Sequence, residues 1–474
     1  MIASEPDRPA TRKKRSPRLA QAQVAAEPPA RPTLADEMPL IIRLEREVEE
    51  DFRPQMLAAF ERKVAEVASE REANVPCCPE CGKPMPRKDA RRVSWLCRFG
   101  RVNARAARYC CGPCGKTRRP LLEALGVEPG RICGSLARLL ALLGVVVPFE
   151  LAARLAWILL GVRVSPMSVW RCVQRLGEAC VRHDEALSVH HADSRSVPTS
   201  LAGPPDTVVL SVDGCDLGMQ VRRHRRHFKS PEERLVPLPS VDGERFREVK
   251  TGVLFQVQDR FESSPGRRSV VRRVLVTYLG NADAIFRRLW ACLQDLGWVG
   301  PKTLIVIVGD GALWIWNRAA EMFPHRCEIL DFWHAVERAW EVARLHFGEG
   351  SSQGVRWAHR LALDLRAGKV EAVITRLSTL RPKSPEARKK LEDLIGYYTD
   401  NKPRMRYDEY LRLGYGIGSG AVESAHKQVV HARLRQAGMR WSEVGAQRLL
   451  TLRVRLLNGE WNQLDRLRTV PFAA

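Results

Sequence analysis

The sequence predicts a mixed α/β core, with an all-helical stretch set into it and smaller modules ahead of it. Three observations carry that reading. Short β-branched runs recur between residues 206 and 330; the last ones, such as Leu304 to Val308, are apolar on both faces like strands in the middle of a sheet. Residues 130–190 and 335–410 instead have helical composition. Residues 76–118 are dense in cysteine and match neither pattern. At 474 residues the chain is too long for one ordinary domain.

Taken in order, residues 1–38 are rich in Pro, Ala and Arg, with a basic cluster at Arg12, Lys13, Lys14 and Arg15, and are expected to form a disordered basic arm. Residues 39–74 read as a helical segment. Ile41, Leu44, Val48, Phe52, Met56, Phe60, Val64 and Val67 recur at helical spacing, and Pro54 is expected to kink or divide the helix. That stripe suits self-association and packing within the chain equally well.

The cysteine-rich segment, 75–120, holds two Cys-x-x-Cys knuckles, Cys78/Cys81 and Cys111/Cys114, each followed at once by glycine. Between them Arg91–Leu96 and Arg101–Arg108 read as strands turned at Phe99-Gly100. Four thiolates at the end of such a hairpin suit one tetrahedral structural Zn²⁺, with no coordination position left open for catalysis. Cys77 and Cys110 adjoin the favoured ligands and leave a three-residue spacing as the alternative.

Residues 130–192 read as helices, the last pair with a turn between them. Phe149–Leu160 is one helix, Gly161 to Val164 turns the chain, and Ser165-Pro166 is a good N-cap and first residue for a helix over 167–182. This is a candidate helix-turn-helix DNA-binding region. Arg171, Gln174 and Arg175 are the expected contacts, with Ser168 beside them on the exposed face.

Strands are expected at Thr207–Val212, Val249–Val257, Val270–Tyr278, Thr303–Val308 and Cys327–Leu330, with a helix near 281–296. A final helical part follows the glycine-rich segment Gly414 to Gly420, and 461–474 is a tail.

Net charge is +23 with a pI near 9.9, which points to a polyanionic partner. The longest apolar stretch, Leu136 to Val162, is interrupted by Arg138, Pro148, Glu150 and Arg154, which argues against a membrane span. Residues 1–40 hold no apolar run of secretory-signal length, so a cytoplasmic location with reduced thiols is expected.

Asp213 and Asp310 each follow a strongly apolar strand and precede a glycine, as residues at ligand sites of open α/β sheets do. An acid leaving a buried strand must be solvated, paired or bound to metal. Phosphoryl transfer on DNA uses two divalent ions about 4 Å apart, and Mg²⁺ prefers carboxylate oxygen and water. Glu423, after Gly418-Ser419-Gly420 at a helix start, is the expected third acid. Asp331 is its rival, because it also follows a buried strand.

Several segments carry a family resemblance: Gly309 to Ala312 with Trp314 to Asn317, Ile329 to Ala335, Gly418 to Ser424, and Gly438 to Ser442 with Gly445, Ala446 and Leu449. With the cysteine knuckles and Val212-Asp213-Gly214 ahead of them, residues 75–457 resemble the ISKra group of bacterial insertion-sequence transposases. The resemblance implies an RNase H-like core over 205–334 and 411–460, a five-stranded mixed sheet in the first part and final helices with the catalytic Glu in the second, with an all-helical insertion at 335–410. It implies an Asp-Asp-Glu triad of Asp213, Asp310 and Glu423 holding two Mg²⁺ or Mn²⁺ ions. Like Mutator-like transposases, the chain has Asp-x-x-His at Asp331 and His334, expected in a supporting role.

Double-stranded DNA, as element ends and target, is the expected partner, with the chain a homo-oligomer on it and without a membrane or small-molecule substrate. Phosphate contacts are expected from Arg222, Arg223, Arg225 and Arg226 in a basic loop, and from His426, Lys427, Arg433 and Arg435 beyond the Glu. Two other classes fit part of the sequence: a noncatalytic zinc and helix-turn-helix regulator, and an RNase H-like nuclease such as a junction resolvase.

Overall fold

The computed structural model describes residues 39–127, 131–192, 203–220, 245–264, 267–382 and 384–466. The chain divides into two compact units, Met1–Phe60 and Glu61–Ala474. Helix α1 (Leu40–Glu72) begins in the first and ends in the second. Pro54 lies inside this continuous helix, so of the two outcomes expected of it, a kink or a division, the division does not occur. Proline removes one backbone donor, and Glu50, whose carbonyl it would have served, lies on an exposed turn.

In the second unit, β1 (Arg87–Cys97) and β2 (Gly100–Cys110) form an antiparallel hairpin in which Trp95 pairs with Val102 and Cys97 with Gly100. Trp95 and Val102 are buried. The short β3 (Thr117–Arg118) adds to β2 and returns the second knuckle beside the first. Helix α2 (Pro120–Leu125) precedes three longer helices, α3 (Gly134–Val146), α4 (Phe149–Leu160) and α5 (Pro166–His190).

The α4–α5 turn follows its sequence cues. Gly161 takes the left-handed conformation, φ +63°, that ends α4. The Ser165 hydroxyl then accepts from the Ser168 N–H at 3.1 Å to start α5. Helix α5 extends to His190, well past Arg182; Val169, Cys172, Val173, Leu176 and Cys180 bury one face of its first part.

A five-stranded mixed sheet follows. Its strands are β4 (Thr207–Gly218), β5 (Phe246–Gln256), β8 (Val274–Leu279), β9 (Leu304–Gly309) and β10 (Arg326–Leu330), in spatial order β10-β9-β4-β5-β8. Strand β4 is antiparallel to β5 and parallel to β9, which is parallel to β10. The run expected at 270–278 is instead two pieces, because β6 (Arg260–Ser264) and β7 (Arg267–Val270) form a separate hairpin before β8.

Helices α6 (Ala282–Asp295) and α7 (Leu313–Met322) flank the sheet strands. After β10 come α8 (Phe332–Phe347), α9 (Ser352–Arg366), α10 (Val370–Thr379), α11 (Pro385–Asn401) and α12 (Tyr407–Arg412). The last stretch runs through α13 (Gly420–His426), a π-helical turn (Lys427–His431), α14 (Ala432–Leu434) and α15 (Glu443–Leu457).

One apolar cluster joins α3–α5, the sheet, α8 and α15. The cysteine hairpin has its own small cluster around Met85, Ala107 and Tyr109. Among the described residues no helix is long and apolar enough to cross a membrane.

Candidate metal centre and carboxylate site

The two cysteine knuckles repeat one backbone design. Cys78 N–H donates to the Lys83 carbonyl at 2.8 Å and Gly82 N–H to the Cys78 carbonyl at 2.9 Å; Cys111 N–H donates to Lys116 at 2.8 Å and Gly115 N–H to Cys111 at 2.9 Å. Gly82 and Gly115 take φ +69° and +67°, a left-handed turn that disfavours a side chain. The sulfurs of Cys78, Cys81, Cys111 and Cys114 all lie within 4.8 Å of one another, and Cys81 Sγ is 3.6 Å from Cys111 Sγ. A tetrahedron with Zn–S bonds near 2.3 Å separates its sulfurs by about 3.8 Å, so the group fits zinc.

Backbone N–H groups of Cys81 and Glu80 pull the Cys78 thiol down to about 7, favouring the thiolate a metal needs. Cys77 is exposed and pairs with Pro84 across a β-bridge. Cys110 points its thiol at the Cys111 carbonyl, 3.9 Å away. The structure thus gathers the pair with two-residue spacing.

Asp213 does not end its strand: β4 continues to Gly218, paired with β5 from Val208↔Gln256 to Gly218↔Phe246. A polar, glycine-containing run has little strand preference of its own, and the full-length partner imposes it. Gly214 lets the Glu248 side chain lie across it: a Cβ there would sit 1.7 Å from the Glu248 carboxylate and displace that side chain. The carboxylate pair nevertheless forms. Ser211 on β4 registers with Val308 on parallel β9, and Asp310, just past the end of β9, comes near enough for its charge to act on Asp213.

Asp213 Oδ1 accepts from Gly214 N–H at 2.7 Å, and Oδ2 is 3.7 Å from His426 Nδ1. Burial pushes the Asp213 carboxyl up to about 6; the charges of Asp310 and Glu248 add to this, while the Gly214 N–H and His334 oppose it. Asp310 Oδ1 accepts from Ala312 N–H at 3.0 Å, and its carbonyl accepts from Tyr397 OH at 2.7 Å, which ties this loop to α11. Glu248, absent from the sequence-based candidates, is on β5 and ion-paired with Lys250. Only the strand register brings it near Asp213.

Glu423 lies in the first turn of α13, exposed, and its Oε1 accepts from Ser419 Oγ at 3.0 Å. It lines a cleft of about 910 Å³ together with Ser211 and Val308, each two positions before one of the aspartates in the chain. Among the described residues, the thiols form the group of three or more candidate ligands drawn within 4.8 Å. Glu423 and the two aspartates do not form a second one.

Asp331 is fully buried and its two oxygens face backbone donors. Oδ1 accepts from Trp333 N–H at 2.6 Å and His334 N–H at 3.4 Å, capping α8, while Oδ2 accepts from Ser419 N–H at 2.9 Å. His334 Nδ1 stands 3.6 Å from Oδ2. Asp331 therefore fastens the loop that carries Glu423.

The expected DNA contacts divide. Arg171, Lys427 and Arg435 are exposed, and Arg175 is half-buried. Gln174 is not on an open face: it is 3% exposed and takes a hydrogen bond from Arg448 at 3.5 Å, because α15 packs on that side of α5. Nor is Arg433 a phosphate contact. It is 1% exposed, donates to the Gly144 carbonyl at 3.0 Å and stacks against Phe149 and Trp441. His426 is likewise buried beside Asp213, and burial, with His431 and Arg435 nearby, lowers it to about 4, so it is neutral. Its position beside Lys427 in the chain does not place it on the same surface, because the sheet covers its side of α13. Arg222, Arg223, Arg225 and Arg226 lie outside the described residues.

Compared with known proteins, the chain matches no family model and no curated protein.

Proposed function

We propose that the chain is a metal-dependent DNA transposase of the ISKra type, built on an RNase H-like core. The single observation that carries this reading is Asp213 on β4 with Asp310 just past the end of the adjacent parallel strand β9, the first of them held near 6 by burial and by its neighbour's charge. A buried carboxylate whose proton affinity is raised by a second carboxylate beside it marks a site that favours a cation. The five-stranded mixed sheet, with Asp213 on its central strand, supports the core assignment.

Asp213 and Asp310 would hold Mg²⁺ or Mn²⁺, with Glu423 brought in from α13. Two such ions would activate the attacking oxygen and stabilise the leaving one in cutting at element ends and joining to target DNA. Neutral His426 packs against Asp213 without adding charge, and Asp331 fixes the Ser419 turn from which Glu423 projects. The thiol group would hold one structural Zn²⁺. Arg171, Lys427 and Arg435 would meet DNA phosphates, with the enzyme a homo-oligomer on DNA in the cytoplasm.

The test is cleavage and strand transfer of a labelled element end with Mg²⁺ or Mn²⁺. Asp213→Asn, Asp310→Asn and Glu423→Gln should each abolish both steps while DNA binding persists. Glu423→Gln cutting as well as wild type would remove Glu423 from the triad. A second reading, a noncatalytic zinc-dependent DNA-binding regulator, is favoured by the separation of Glu423 from the two aspartates. Metal-dependent cutting that those variants lose would exclude it.

A further inference from the structure

The cleft beside Glu423 has a lining that carboxylate chemistry alone does not explain. At about 910 Å³ it is in the size range of sites that enclose a small organic group. Its floor is apolar, with Phe255 and Val308 from the sheet. In that floor is Ser211, 1% exposed, whose hydroxyl has no hydrogen-bond partner. A buried hydroxyl in that state is costly unless something enters to pair with it.

Arg273 and Arg366 bring guanidinium groups to the same cleft. Trp333 lines it as well and is 64% exposed, although its neighbours on both sides, Phe332 and His334, are buried or half-buried. The indole has close neighbours: it stands nearly perpendicular to the Phe332 ring with centroids 5.2 Å apart, and Gly418 passes so close that a Cβ there would be 2.9 Å from Trp333 Cδ1. An exposed indole packed this firmly is preorganised for a flat partner.

An apolar floor with one unpaired hydroxyl, an exposed indole and two guanidinium groups together match the parts of a nucleotide. The floor and indole suit a base, the hydroxyl suits its polar edge, and the guanidinium groups suit flanking phosphates. We propose that this cleft receives one unpaired nucleotide of the DNA strand presented to Asp213, Asp310 and Glu423, with Trp333 as the stacking surface and Ser211 as the edge contact. The substrate would then be held with a nucleotide out of the duplex next to the carboxylates. The proposal rests on the transposase reading for its choice of DNA, but its test requires neither metal nor cutting.

The experiment uses the full chain in magnesium-free buffer with a single-stranded oligodeoxythymidylate about 12 nucleotides long, within the site sizes of known single-strand grooves. It carries one central 2-aminopurine. Wild type should change the 2-aminopurine emission on binding. Trp333→Ala should remove most of that change and weaken binding about fivefold or more, and Trp333→Phe should restore most of both. Ser211→Ala should weaken binding about twofold to tenfold.

The proposal is overturned if Trp333→Ala binds the strand with unchanged affinity and emission. It is equally overturned if the emission change survives in Trp333→Ala but not in a variant outside the cleft such as Arg171→Ala. A protein that passes here and fails to cut DNA would sink the enzymatic reading while leaving the nucleotide cleft intact.

Discussion

Asp213 shows what a single environment does to a side chain. An unfolded aspartate ionises near 3.9, whereas this one does so near 6 in the folded chain. Between those values the folded protein holds the extra proton. The site's contribution to stability is therefore most favourable below about pH 4 and declines as pH rises through 6, by about 2–3 kcal/mol. In magnesium-free buffer Asp213→Asn should unfold at a higher temperature than wild type at pH 7, and the two should converge toward pH 4. Equal midpoints at pH 7 would contradict the burial argument.

Asp331 makes the opposite prediction. Its carboxylate serves three backbone N–H groups, and in Asp331→Asn one oxygen becomes a donor that cannot serve Ser419. The cost should be about 1–3 kcal/mol, with cutting reduced rather than lost. A fully inactive Asp331→Asn of wild-type stability would make Asp331 a metal ligand. The sequence marked Asp213, Asp310 and Asp331 because each follows a run of apolar residues. It did not mark Glu248, whose place depends on the β4–β5 register, and it misjudged Arg433, which composition cannot tell from a surface arginine.

Among the elements, the cysteine hairpin was the most readable, because metal ligation leaves a fixed spacing in the chain. Purified protein should carry about one zinc per chain. Cys78→Ser or Cys114→Ser should lose it and disorder only the hairpin, whose small cluster is separate from the main core. Full zinc content in both variants would mean that other thiols bind.

The helix-turn-helix was legible in its caps and not in its packing. Ser165, Pro166 and Gly161 act locally, but the burial of Gln174 comes from α15, more than 250 residues away in sequence. Arg171→Ala should therefore weaken DNA binding with no loss of stability, and Gln174→Ala should lower the unfolding midpoint instead. The reverse pattern, read by salt-dependent binding and thermal melting, would place the DNA face on the other side of α5. The continuation of β4 past Asp213 was hidden for a similar reason: the partner strand, not local preference, decides it.

For the molecule as a whole, two buried arginines join parts that the sequence keeps far apart. Arg453 donates to the Val145 carbonyl at 2.6 Å and Arg433 to that of Gly144, so guanidinium groups from the C-terminal helices close the carbonyl end of α3. Burial lowers both to about 10, which leaves them charged at neutral pH. Arg453→Met should leave the Val145 carbonyl unpaired, at about 1–3 kcal/mol, and lower the melting of α3–α5 together with the sheet. If only one of these parts melted earlier, they would not be a single cooperative body.

The ties at Asp331 also have a meaning in polymer terms. Phe332 N–H donates to the Ile417 carbonyl at 2.8 Å, and Asp331 accepts from Ser419 at 2.9 Å. The chain thus leaves the sheet after β10 and comes back to the same point before α13 through one doorway, with α8 to α12 strung between the jambs. Closing a loop costs entropy that grows only with the logarithm of its length. Extra residues spliced into the turn at 348–351, at the far end of α8, would thus cost the sheet almost nothing, while a break at the doorway would set Glu423 adrift. The helical stretch has room to grow at its tip and none to loosen at its root.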